Sequence, residues 1–172
     1  MKFKEKPEEK SGMAKELYDM FIDIIQTEYE KMSFVLSAKF YYYQNGCMNY
    51  KKFFSKMLEN CGKCKFDFEA FLVNHMEEVP EFTVPEINLD FDETITPFDK
   101  FVEYEEDFVE KLNALAKKAL ELADVEVLAF VLPMIKCIDH IACRAAECVK
   151  NQQNPLDLVC DESNVSGKTS GK

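Results

Sequence analysis

Four residues with metal-binding side chains stand among apolar neighbours in this chain. Glu28 and Glu105 each interrupt a stripe of apolar residues with helical spacing, and Cys61 and Cys64 lie one helical turn apart in another stripe. An unpaired charge is costly to bury, so carboxylates that meet in a core usually share a metal ion or another cation. The pattern predicts a metal site formed by Glu28, Glu105, Cys61 and Cys64.

Each pair also allows an interpretation without a metal. The glutamates could face outward or pair with a lysine, and free cysteines often pack as small apolar residues. Structural zinc takes four ligands, whereas Cys61 and Cys64 supply only two and form the only C-x-x-C motif in the sequence. The motif by itself does not complete a zinc site. Thioredoxin-like redox chemistry is disfavoured because no βαβ pattern surrounds this motif. For the two cysteines, metal ligand and core filler both stay open.

The elements that must position these residues are long helices. Apolar stripes predict two helices joined by the turn pair Asn45-Gly46, and two more that start at Thr96-Pro97 and Asp124. A helix of about 28 residues is about 42 Å long, and about 20 extended residues at ~3.3 Å each can span that length. The proline-containing residues 77–96 are therefore predicted to form a crossover between two antiparallel hairpins.

The predicted architecture is an all-α four-helix bundle with one long crossover and a short fifth helix at the C-terminus, from Asn154-Pro155 to about Glu162. Residues 13–162 make up the bundle. We expect residues 1–12 to be a flexible segment and residues 163–172 to be a disordered tail.

Composition narrows the classes of partner. The 172 residues carry a net charge of -11 and are 47% hydrophobic, which is typical of one globular domain. Arg144 is the only arginine, so no basic patch favours nucleic acid or an anionic membrane. The sequence has no secretory signal pattern and no apolar run of about 20 residues. With seven cysteines expected to be thiols, we predict a cytoplasmic protein.

From about residue 14 to 162 the chain resembles a ferritin subunit, most closely the bacterial non-haem ferritins. The resemblance is carried by the helix lengths, the crossover, the fifth helix and Glu105 followed by the segment KLNALA at 111–116. The family's dinuclear ferroxidase centre has Glu on the first helix, Glu-x-x-His on the second, Glu on the third and Gln on the fourth. These positions correspond here to Glu28, to Cys61 and Cys64, to Glu105 and to Ile138.

The resemblance implies an iron-binding or iron-storing subunit whose ferroxidase activity is lost or weak. Fast oxidation of two Fe(II) ions needs hard oxygen donors and an imidazole, and thiols replace the donors of the second helix. We therefore lean towards a protein that is not an enzyme, with iron as its possible metal.

The family also implies a homo-oligomeric cage of 24 subunits, with the second and fourth helices facing the cavity. Residues 48–75 have a net charge of +2, residues 125–151 a net charge of zero, and residues 76–126 a net charge of -12. We therefore expect divalent cations to gather outside such a cage and mineral to form weakly inside.

Two other functions compete with iron storage. One is a non-catalytic structural or binding shell whose acidic exterior recruits metal ions or a basic partner. The other is a monomeric signalling bundle, which fits less well because such bundles typically have two crossovers.

Overall fold

The computed structural model describes residues 12–75, 77–88, 90–91 and 96–151, of which 148–151 are described by their backbone alone. These residues form four helices, α1 (Lys15–Gln44), α2 (Met48–Asn74), α3 (Pro97–Glu121) and α4 (Val125–Asn151), and no strand. The all-α class and the four predicted helices are confirmed. The predicted fifth helix, the tail and residues 1–11 lie outside the described residues.

The helices form two hairpins that share a core. α1 packs against α2 and α3, and α3 packs against α4. Gly46 makes the first turn with a φ of 72°, a value that favours glycine because it has no Cβ. At the second turn, Asp124 Oδ1 accepts a hydrogen bond of 3.0 Å from the amide of Val127, as the predicted cap requires.

A reciprocal capping box begins α3. The hydroxyl of Thr96 accepts a hydrogen bond from the amide of Asp99, and the Asp99 carboxylate accepts one from the amide of Thr96. Pro97 occupies the first helical turn, where its missing N–H costs nothing. The crossover therefore ends at a defined residue.

The crossover lies along the outer face of α1, and hydrogen bonds hold it there. Ser33 Oγ donates to the carbonyl of Pro85 over 2.7 Å, and Ser37 Oγ accepts from the amide of Asn88 over 3.2 Å. Both serines are buried, and buried hydroxyl groups need hydrogen-bond partners, which the backbone of the crossover provides. This arrangement confirms the predicted crossover.

The apolar core is divided into two clusters along the bundle. One contains Phe21, Phe68 and Phe108, and the other contains Phe53, Phe54 and Phe101. Residues 28–31 of α1, Cys64 of α2 and Glu105 of α3 fall between the two clusters in chain order. Polar side chains therefore sit at mid-bundle. None of the four described helices is both long and apolar enough to cross a membrane.

Candidate functional site

A buried lysine occupies the centre of the bundle. The Lys31 ammonium lies 2.7 Å from Oε1 of Glu28, one helical turn away on α1, and 3.0 Å from Oε1 of Glu105 on α3. All three side chains are at most 5% exposed. The ammonium also lies 4.0 Å from the ring centroid of Phe108, within cation–π range.

The carboxylates keep this ammonium charged. Burial alone would lower the pKa of Lys31, but Glu105 and Glu28 outweigh burial and raise that pKa well above its usual value. Burial raises the pKa of Glu28, and Lys31 opposes that rise. The centre of the bundle thus contains a charged ammonium between two carboxyl groups, one of which burial makes easier to protonate.

The environment of Glu28 is only partly satisfied. Neither of its carboxylate oxygens accepts a hydrogen bond of good geometry, although one lies 2.7 Å from the ammonium. Against the effect of burial, the Lys31 ammonium and the nearby Cys61 thiol both favour the charged form of this carboxylate and lower its pKa. The buried thiol of Cys61 is close enough for these charges to affect its pKa, which burial raises well above the usual value.

The structure brings the two predicted glutamates together, but around Lys31. As these side chains stand, the carboxylates do not fit a metal ion, because the ammonium occupies the space between them. Among the described residues, no three His, Cys, Asp or Glu side chains are grouped closely enough to hold a metal ion. The lysine alternative is the one observed for the glutamates. A metal bound by Cys61 and Cys64 stays a prediction.

Lys31 is the site residue that the sequence analysis missed. Its signal was present in the spacing, because residues three apart are neighbours on a helix and Lys31 follows Glu28 by three. The contact with Glu105 had no such signal, since it joins different helices.

A groove of about 260 Å³ between α2 and α4 leads towards this centre. No Cα atom of α2 lies within 8 Å of a Cα atom of α4 along the described lengths of the two helices, which leaves room for the groove. Its lining includes the three site residues and both predicted cysteines, together with Met57, Met134, Cys137, Ile138 and Ile141. The fourth-helix position implied by the resemblance, Ile138, therefore faces the groove with an apolar side chain.

The histidines take no part in this centre. His75 is the C-cap residue of α2, and its Nε2 lies 2.7 Å from Glu126 Oε2. His140 is exposed on α4.

Among known proteins, only solved structures are similar to this chain. No protein-family model matches the chain, and no curated protein matches it. Among solved structures, the apo-ferritin from Pseudo-nitzschia multiseries is similar, with a TM-score of 0.74 and 18% identity over 80% of this chain and 88% of that one. A variant of PmFTN soaked in iron overnight has the same identity, TM-score and shares of each chain. A second variant, soaked for 3 h, has a TM-score of 0.73 and 18% identity over 79% and 87% of the two chains. The chain therefore has the fold of a ferritin subunit.

Proposed function

We propose that this protein is a self-assembling, ferritin-like subunit that sequesters iron without a ferroxidase centre of its own. The observation that carries the second half of the proposal is the position of Lys31. Its ammonium lies between Glu28 and Glu105, the positions that correspond to carboxylate ligands in the family.

The chemistry of the centre supports the absence of fast oxidation. An ammonium repels Fe(II), and the second-helix positions supply thiols instead of a carboxylate and an imidazole. At the fourth-helix position, Ile138 has no donor atom. A dinuclear iron site would need hard donors from several helices and open coordination positions, but Lys31 engages both glutamates and the second- and fourth-helix positions add no hard donor.

Aerobic oxidation of Fe(II), followed by absorbance, tests the proposal. We expect the protein to oxidise Fe(II) no faster than buffer does, and Glu105→Gln to leave the rate unchanged. A ferritin with known ferroxidase activity is the positive control. A rapid phase stoichiometric with subunits and abolished by Glu105→Gln would contradict the proposal.

The alternative, a shell that binds cations or a basic partner on its exterior, has an observation in its favour. Five acidic residues of α3 are exposed, namely Glu103, Glu106, Asp107, Glu110 and Glu121. Metal analysis of purified protein separates the two functions. Iron sequestration predicts iron retained after dialysis at high salt, whereas exterior recruitment predicts bound cations that salt removes.

A further inference from the structure

We propose that the groove between α2 and α4 is a binding site for a soft monovalent metal ion, Cu(I), held by cysteine and methionine sulfur atoms. The groove opens onto the Glu28, Lys31 and Glu105 centre, but the proposed ligands are the sulfur atoms and not those carboxylates, and the site does not depend on the proposed handling of iron. Five residues of the lining carry sulfur: Met57, Cys61 and Cys64 on α2, and Met134 and Cys137 on α4.

On α2 the three sulfur residues form one stripe. Met57, Cys61 and Cys64 follow each other at intervals of four and three residues, which places them on the same face of the helix. Met57 and Cys61 are both 4% exposed, and Cys64 is half-buried. Burial raises the pKa of Cys61, and Cys64 is close enough to add to that rise. Helix α2 therefore offers two adjacent thiols above a buried thioether.

Helix α4 presents the same pair of residue types across the groove. Met134 and Cys137 are three residues apart, so they also share a helix face. Met134 is half-buried and Cys137 is exposed. A cation entering from solvent would meet Cys137 and Cys64 first and could then reach Cys61, which gives the site an entry path.

The donor set selects the metal. Thiolate and thioether sulfur are soft ligands that favour Cu(I) over hard cations such as Mg²⁺ or Mn²⁺. Structural Zn²⁺ takes four ligands in a tetrahedron, and no group of three His, Cys, Asp or Glu side chains stands ready for it among the described residues. Cu(I) needs only two or three sulfur ligands. The methionine thioethers of the groove can serve as such ligands, and they are not among the His, Cys, Asp and Glu side chains considered for zinc.

Binding is an exchange of protons for the metal ion, with no transfer of electrons. Each thiol that becomes a ligand forms a bond to copper and releases its proton to solvent. The charged side chains that line the groove are of both signs, so the sulfur donors and not a local negative charge select the ion; they are Glu28, Asp67 and Glu105 with Lys31 and Lys63.

Two double variants test the site with equal numbers of thiols removed. Cys64→Ser with Cys137→Ser removes two groove thiols, whereas Cys47→Ser with Cys143→Ser removes two thiols that are exposed and do not line the groove. Cys148 and Cys160 remain in both variants. The measurement is anaerobic competition for Cu(I) against a chromophoric chelator, using the full chain.

We expect the groove variant to lose at least about 100-fold in Cu(I) affinity, since removing a ligand costs more than disturbing its surroundings. The control variant should bind as tightly as wild type. Equal affinities for the two variants would overturn the proposal. X-ray absorption of the wild-type complex gives an independent answer that needs no variant: sulfur neighbours support the site, and a first shell of oxygen or nitrogen overturns it.

Discussion

Lys31 determines the charge balance of the core. A buried ion pair contributes little net stability, but removing one partner leaves the other charged and without compensation. Here a single ammonium faces two carboxyl groups on different helices, at 2.7 and 3.0 Å. The lysine is therefore the cation that lets both glutamates be buried.

We predict that Lys31→Met lowers the free energy of unfolding by about 3–5 kcal/mol at neutral pH, because Glu28 and Glu105 are left facing each other without a cation. Urea denaturation followed by circular dichroism measures the loss. Lys65→Met is the matched control, since Lys65 also pairs with a glutamate and contacts an aromatic ring but is partly exposed. Its loss should be about 1 kcal/mol or less. Equal losses for the two variants would contradict the role assigned to Lys31.

The same variant should acquire sensitivity to divalent cations. Without the ammonium, the two carboxylates can share Mn²⁺, and a ligand that binds only the folded state stabilises it. We expect Mn²⁺ to raise the melting temperature of Lys31→Met and to leave that of wild type unchanged. Combining Lys31→Met with Glu105→Gln should abolish the rise. If wild type responds as strongly as the variant, the lysine does not occupy the cation position.

His75 should make stability depend weakly on pH. Burial lowers the pKa of His75, but hydrogen bonds to Glu126 and to the Phe71 carbonyl outweigh it and raise that pKa. Both partners are acceptors, so the doubly protonated ring satisfies both. A raised pKa in the folded state means that this stabilisation is complete below the ordinary value of about 6.5 and is lost as pH rises through the folded-state value.

Glu126→Gln should therefore destabilise the protein at about pH 5.5, by about 0.5 kcal/mol because Glu126 is well exposed, and have no effect at about pH 8.5. Urea denaturation at the two pH values measures the difference. Glu121→Gln is the control, because its partner Lys118 stays charged across this range. A difference for Glu126→Gln that persists at the higher pH would show that protonation of His75 is not its origin.

At the scale of elements, local chemistry sets where helices begin. The caps of Thr96 and Asp124 were predicted from residue types alone, because a cap involves residues only three apart. The hydrogen bond from the Thr96 amide to Asp99, which completes the capping box, was found only in the structure. The start of α1 shows the limit of such signals. Its N-cap residue is Ala14, which makes no side-chain cap, so the helix depends on its buried apolar face instead.

We predict that Thr96→Val lowers the free energy of unfolding by about 1 kcal/mol, because the first turn of α3 loses its side-chain acceptor. Thr96→Ser keeps an acceptor oxygen at the same position and should remain within a few tenths of wild type. Chemical denaturation of the three proteins provides the comparison. A similar loss in both variants would point to packing rather than to the cap.

At the scale of the whole molecule, a single chain leaves substantial apolar surface uncovered. Phe66, Val84, Leu120 and Val125 are each between 63% and 72% exposed. Exposed apolar side chains mark an interface between proteins where they form a contiguous patch. Self-assembly would cover some of these side chains, and the number of copies is suggested by the ferritin resemblance alone.

We predict one species of about 480 kDa in sedimentation velocity, the mass of 24 copies of the 20.0 kDa chain. Val125→Lys should dissociate it while preserving helix content, because a charge placed in an apolar interface is costly. Lys136→Glu, an exposed change of charge on the same helix, is the control. A monomer as the main species of wild type would contradict assembly.

The sequence by itself determined the helices, their order and the crossover, and it placed Glu28 and Glu105 near the middle of the bundle. It could do so because apolar spacing, caps and segment lengths are set by residues that are near each other in the chain. The tertiary structure decided what those glutamates face. The attraction of Lys31 for Glu105 joins residues far apart in the chain, and helical spacing specifies a face but not the charge across from it. The sulfur-lined groove likewise exists only because α2 and α4 stand apart, a distance set by the packing of all four helices.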